Sequence, residues 1–219
     1  MHNFKFIGPK FIWFVSIVFN YSLINAQSPD PPIPIETLIG HNDLYFMSLV
    51  KRNFNQTDFN YFGMITYTST YSLTDVDNNF TMLHQFTYDL NKGFALMVGS
   101  SINSVGGLSP LAGFQHNYAS KKILSVTTLS YAINGAHDTS FFGVYEFKPT
   151  LRSDWQLYTR GQLLYIHSFG EASHARSYLY LRAGLRKKSF NFGAGANLDR
   201  FGGNKAFRDN YGPFVRWEF

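Results

Sequence analysis

Cysteine is absent from the 219-residue chain. Disulfides, thiolate metal sites and a lipid-anchored amino terminus of the lipoprotein type are therefore excluded. Charge is also sparse, since Asp, Glu, Lys and Arg make up only 15% of the residues and the formal net charge is +5. An excess this small does not indicate a nucleic-acid partner.

Long hydrophobic runs are missing beyond the first 26 residues, and a membrane-spanning helix needs about 20 apolar residues. At the start, Lys5 and Lys10 precede an apolar run at 11–19, and the small residue Ala26 follows. These are the features of a secretory signal peptide. We therefore predict a signal peptide at 1–26, and an uncleaved anchor helix is the alternative.

Aromatic residues are abundant, at 18% of the chain, although the mean hydropathy is only −0.15. The core of a soluble protein does not require so many aromatic side chains with so little aliphatic mass. A membrane β-barrel with a lipid-facing exterior and a polar interior combines both features.

The final stretch, 211–219, alternates between apolar and other residues. Phe214 breaks the alternation, and Arg216 and Glu218 lie at the charged positions. Because successive side chains of a strand point to opposite faces, this strand is apolar on one side and charged on the other. The apolar positions are Tyr211, Pro213, Val215, Trp217 and Phe219.

This stretch resembles the closing strand of Gram-negative outer-membrane β-barrel proteins, whose terminal aromatic residue is recognised by the barrel assembly machinery. The chain resembles a small outer-membrane β-barrel protein of an uncharacterised family over residues 61–219. The resemblance implies the cell outer membrane as location, outer-membrane lipid and the assembly machinery as partners, and no cofactor or metal. It assigns the assembly signal to Tyr211, Val215, Trp217 and Phe219.

From residue 61 the alternating pattern predicts an all-β fold, a transmembrane antiparallel up-and-down β-barrel of about ten strands. Most predicted strands reach the roughly 9–11 residues that a tilted spanning strand needs. They cover 61–74, 80–90, 94–104, 107–120, 122–134, 139–150, 154–168, 175–187, 190–201 and 210–219.

The connections favour ten strands. Tight turns at 91–93, 121–122, 152–154 and 187–189 alternate with mostly longer loops, as periplasmic turns and outer loops do in such barrels. Residues 44–50 are largely apolar at both odd and even positions, so they fit a strand, a short helix or a plug. We therefore predict a periplasmic linker or plug at 27–60, with twelve strands as the alternative count.

Charged residues recur at the inward-facing positions of the later strands. Buried charges need partners or water, and a narrow barrel encloses little space. These residues therefore predict a charge network that fills the lumen, or alternatively a narrow ion-selecting constriction. They are Glu146, Lys148, Arg160, Arg182, Arg186, Asp199, Arg216 and Glu218.

The outer loops carry residues that suit metal binding or acid–base chemistry. They match no hydrolase motif, and Ser168 beside His167 is not the Ser–His arrangement of outer-membrane lipid hydrolases. These loop residues are Asp75, Asp77, His137, Asp138, His167, Glu171 and His174.

Three functions follow from these patterns. The first is a structural or interaction barrel with a charged, side-chain-filled lumen, which is not an enzyme. The second is a narrow diffusion pore that admits a small solute or ion. The third is an outer-leaflet hydrolase with its site on the extracellular rim.

Overall fold

A computed structural model describes residues 32–54, 56–72, 78–120 and 122–219. The predicted signal peptide lies outside these ranges and stays a prediction. Every regular element in the described ranges is a β-strand. No helix long and apolar enough to cross a membrane occurs in them.

The strands follow one another with short connections. The three-residue β9 pairs only with β10. In chain order the strands are β1 (Pro34–Ile39), β2 (Asp43–Asn53), β3 (Phe59–Thr70), β4 (Asn79–Asn91), β5 (Phe94–Asn103), β6 (Gly107–Ala119), β7 (Ile123–Ala132), β8 (Asp138–Phe147), β9 (Thr150–Arg152), β10 (Trp155–Ser168), β11 (Ser173–Lys187), β12 (Phe190–Phe201) and β13 (Ala206–Glu218).

All strands other than β9 form one closed barrel. Each pairs antiparallel with its neighbours in the chain, and β13 pairs with β1 to close the ring. The fold is therefore an antiparallel up-and-down β-barrel of twelve strands, which confirms the fold class predicted from the sequence. β1 begins and β13 ends at the same end of the barrel, which we call the terminal end. The opposite end is called the loop end.

The predicted count of ten strands is wrong, and the alternative count of twelve is confirmed. The two additional strands, β1 and β2, come from 34–53, within the stretch predicted as linker or plug. The alternation of apolar and polar residues did not reveal these two strands, for a different reason in each case. β1 has only 6 residues. In β2 both faces are apolar, because its inward residues Tyr45 and Met47 are buried in the lumen, each at 1% exposure.

The tight turns lie at the terminal end, as their sequence indicates. Lys92 and Gly93 join β4 to β5 with φ angles of 51° and 84°. Positive φ at both central residues is the feature of the type I′ hairpin turn. Lys188, with φ 55°, forms part of the short turn between β11 and β12.

Successive residues of each strand face outward and inward in turn, and this gives the barrel an apolar exterior and an interior of mixed polarity. On β11 the outward Leu179 and Leu181 are 40% and 43% exposed, whereas the inward Tyr180 and Arg182 are buried. β12 and β13 follow the same alternation. The outer face therefore presents a continuous apolar surface to lipid.

The interior contains an apolar cluster in addition to polar groups. Ten buried side chains from strands on several sides pack against one another within the barrel. Side chains therefore fill much of the lumen, as narrow barrels require. The cluster consists of Leu38, Tyr45, Met47, Phe62, Met64, Phe142, Val144, Tyr158, Tyr180 and Phe214.

The seam between β13 and β1 depends on close approach of the backbone. The side chain of Asn210 accepts hydrogen bonds from the N–H groups of Asn42 and Asp43, at 3.1 Å each, and donates to the carbonyl of Asp43 at 3.0 Å. A Cβ atom at Gly40 would overlap this amide, and one at Gly212 would overlap the carbonyl of Ile39. The seam therefore requires glycine at both positions.

Candidate functional site in the barrel lumen

Glu36 is the centre of a buried charge cluster in the terminal half of the lumen. Its Oε1 accepts hydrogen bonds from Nη2 of Arg160 at 2.7 Å and from Nε of Arg182 at 2.8 Å. The three residues are 0%, 2% and 2% exposed. Short charge-assisted contacts of this kind are stronger than neutral hydrogen bonds. They hold β1 to β10 and β11 across the interior.

Arg216, the cross-strand partner of Glu36, connects two further carboxylates. Its Nη1 lies 2.9 Å from Glu146, and its Nε lies 3.0 Å from Glu218. Lys148 contacts Glu146 at 2.8 Å, and Arg186 contacts Glu218 at 2.8 Å. Together with the Glu36 cluster, these charges form a layer made of residues from β1, β8, β10, β11 and β13, with Lys148 from the connection that follows β8.

Cations outnumber carboxylates in these two groups. The carboxylates are Glu36, Glu146 and Glu218, and the cations are Lys148, Arg160, Arg182, Arg186 and Arg216. Three against five leaves an excess of two positive charges. Because salt does not screen buried charges as it does exposed ones, this excess contributes strongly to the electrostatic potential in the terminal half of the lumen.

Several polar atoms of this layer are buried and have no hydrogen-bond partner among the described residues. They include Oε2 of Glu36, Nε of Arg160 and Nη2 of Arg182. Leaving such groups unsatisfied costs about 1–3 kcal/mol each, and more when they are charged. The layer therefore retains unused capacity to bind a polar or charged group.

A second polar group lies towards the loop end. Arg176 contacts Asp199 at 2.8 Å, and the hydroxyl of Tyr180 donates to the same carboxylate at 2.9 Å. Arg208 forms an ion pair with Asp43 beside it. These side chains line a small pocket near the loop end of the lumen.

Seven of the eight predicted lumen charges lie in the terminal-end layer. The exception is Asp199, which belongs to the loop-end group and contacts none of the other seven. Sequence reasoning missed Glu36, because it lies in the stretch predicted as linker. It also missed Arg176, Asp43 and Arg208. Arg176 could have been recognised as a lumen residue, because it lies at an inward-facing position of a predicted strand.

The residues predicted as the assembly signal all face outward, three on β13 and Phe219 directly after it. Tyr211, Val215, Trp217 and Phe219 are each more than 40% exposed. The ring of Trp217 stacks on Phe190 at 5.8 Å and meets Phe219 edge-on at 4.6 Å. These aromatic side chains form part of the girdle expected where barrel and lipid meet.

The loop residues considered for catalysis do not converge on one site. Asp75 and Asp77 lie outside the described residues. His137 contacts the hydroxyl of Tyr131 at 2.6 Å, and the hydroxyl of Ser168 donates to a backbone carbonyl rather than to His167. The described parts of the chain contain no group of three potential metal ligands.

No protein-family model matches the chain, and no curated protein matches it. Among solved structures it is similar to a KdgM porin, with 12% identity over 85% of this chain and 98% of that chain, at a TM-score of 0.50. It is also similar to a NanC porin, with 9% identity over 85% of this chain and all of the other, at a TM-score of 0.51. Identities this low show the fold alone. The protein therefore has the β-barrel fold of Gram-negative outer-membrane porins.

Proposed function

We propose that the protein is a narrow outer-membrane pore for small solutes, with a preference for anions. The charge layer around Glu36 forms its constriction. The observation that carries the proposal is the excess of two cations over carboxylates in this layer. Rings of basic side chains favour anions in pores.

The unsatisfied N–H donors of Arg160 and Arg182 support this function. A passing anion must exchange its hydration shell for donors in the pore wall, and these arginines have donors to offer. The polar pocket at the loop end would receive the solute first. The porin fold agrees with this route but does not identify the solute.

In the membrane we expect the terminal end to face the periplasm and the loop end to face outward. Both are predictions from the short turns and the longer loops. Recognition by the assembly machinery, through the outward residues of β13, also remains a proposal. So does removal of the signal peptide at 1–26.

The second candidate is a structural barrel whose lumen does not conduct. It is favoured by the near-complete burial of Glu36, Arg160 and Arg182 and by the apolar cluster packed beside them. In that case the charge layer serves only to fill and stiffen the barrel. An anchoring role for other envelope components would then be its function.

Single-channel recording in planar bilayers distinguishes the two. A pore gives discrete small current steps, and Met47→Ala gives larger steps because Met47 is buried in the lumen. Leu181→Ala, on the outer face of the barrel, is the matched control and leaves the step size unchanged. Absence of steps in both the wild type and Met47→Ala would contradict the pore and favour the structural barrel.

A further inference from the structure

A β-bulge near the loop end places a histidine and a serine together on the outer face of β11. His174 pairs with His167 of β10, but the next pair is Arg176 with Ile166, so Ala175 has no pairing partner on β10. In a regular strand, residues three apart face opposite sides. The bulge brings His174 onto the same face as Ser177, and bulges commonly re-aim side chains beside functional sites.

The hydrogen bonds of His174 determine its tautomer. Its Nδ1 lies 2.8 Å from the carbonyl oxygen of Gly202, which only accepts hydrogen bonds. The ring proton is therefore on Nδ1, and Nε2 is the acceptor. Ser177 Oγ lies 3.0 Å from Nε2, so the hydroxyl donates to it. A serine hydroxyl bonded to an oriented imidazole is the arrangement of an activated nucleophile.

The pair lies at the upper border of the apolar exterior. Leu179 and Leu181 follow Ser177 on the outward parity of β11, and Leu198 lies on the neighbouring β12. On β12, Arg200 is the first charged outward residue above these leucines, although its neighbour Phe207 on β13 is apolar. The headgroup region of a bilayer begins where the hydrocarbon core ends, so we expect the ester carbonyls of outer-leaflet lipids at about this level.

A cationic side chain lies on the neighbouring strand at the level of the serine. Arg200 of β12 is the cross-strand partner of Ser177 and faces the same side. Its guanidinium lies 5.4 Å from the centre of the Phe207 ring on β13, the strand on the other side of β12 from Ser177. A cation at this level of the outer face attracts a lipid phosphate.

We propose that Ser177 and His174 hydrolyse an acyl ester of outer-leaflet lipids. Ser177 Oγ attacks the ester carbonyl carbon while Nε2 of His174 takes the hydroxyl proton. The carbon–oxygen bond to the leaving alcohol then breaks, the imidazolium returns the proton to that alcohol, and an acyl-serine remains. Water, deprotonated by His174, releases the fatty acid and restores the serine. The carbonyl of Gly202 replaces the carboxylate that orients histidine in other serine hydrolases.

The test uses the full protein in phosphatidylethanolamine vesicles with a fluorogenic acyl chain. Ser177→Ala and His174→Gln should each lower the hydrolysis rate about 100-fold or more. Ser125→Ala and His167→Gln are the matched controls, since both residues face outward without a Ser–His contact, and they should retain the rate. Folding of each variant is checked by the heat-dependent mobility of the barrel in gels.

Labelling provides a second readout that does not depend on folding of a variant. A fluorophosphonate should modify the wild-type protein at Ser177, as mapped by mass spectrometry. Hydrolysis that persists in folded Ser177→Ala, or wild-type protein that neither hydrolyses the lipid nor takes the label, overturns the proposal. Pore function does not depend on Ser177 or His174, so the conductance test and the hydrolysis test give independent results.

Discussion

Glu36 and Arg160 form an ion pair across the lumen, with 2.7 Å between Oε1 and Nη2. They lie 124 residues apart in the chain, and three strands separate β1 from β10 around the barrel. The same oxygen also accepts from Arg182. One carboxylate on the six-residue β1 thus pairs with two buried arginines and ties the shortest strand of the closed barrel to β10 and β11.

Replacing Glu36 with alanine should destabilise the folded barrel strongly. It leaves Arg160 and Arg182 buried without their carboxylate, and breaking a buried pair in this way costs about 3–5 kcal/mol. Unfolding of the detergent-folded protein by heat or urea measures the loss. Glu171→Ala on an exposed loop is the control and should cost no more than about 1 kcal/mol. Equal stability of the two variants would show that the Glu36 pairs contribute little.

The seam provides a steric prediction. Gly212→Ala places a Cβ against the carbonyl of Ile39, so β1 and β13 must separate locally. Overpacking of this kind costs about 1–3 kcal/mol, and the melting temperature should fall. Gly135→Ala is the matched control, because a Cβ there meets nothing within 4 Å. A melting temperature that falls equally in both variants would argue against the tight seam.

Deletion of Phe219 should impair assembly more than stability. The side chain is 44% exposed on the outer face and contacts Trp217, so its deletion removes little packing, together with two backbone hydrogen bonds to Ile33 at the end of the seam. We expect lower levels in outer-membrane fractions and degradation in the periplasm, measured by immunoblotting of fractionated cells. Unchanged outer-membrane levels would contradict an assembly role. Phe207, an outward residue of β13 at the loop end, is the control when changed to alanine.

Strand parity was predictable from the sequence because the side-chain period of a strand is two. The outward leucines of β11 and its inward Arg182 and Arg186 follow directly from it. β2 was not predictable in this way, because apolar residues on its inward face, such as Tyr45, remove the alternation. The missing strands also hid Glu36, and with it the centre of the charge layer.

The pairing of the lumen charges depends on register and closure, which a single sequence does not determine. Arg216 and Glu218 lie two positions apart on one strand, so their contact was within reach of parity reasoning. The contact of Arg216 with Glu146 crosses between β13 and β8. The bulge at Ala175 likewise has no clear sequence signal, so His174 and Ser177 were not expected on one face.

Ion selectivity tests the central proposal most directly, through the reversal potential of reconstituted protein in a KCl gradient. We expect selectivity for chloride, and Arg186→Gln should weaken it because Arg186 belongs to the charge layer. Lys187→Gln removes a charge one residue away, but Lys187 faces outward against Trp155 and its loss should leave the reversal potential unchanged. Selectivity for potassium, or an equal effect of both substitutions, would contradict the assignment of the constriction to this layer.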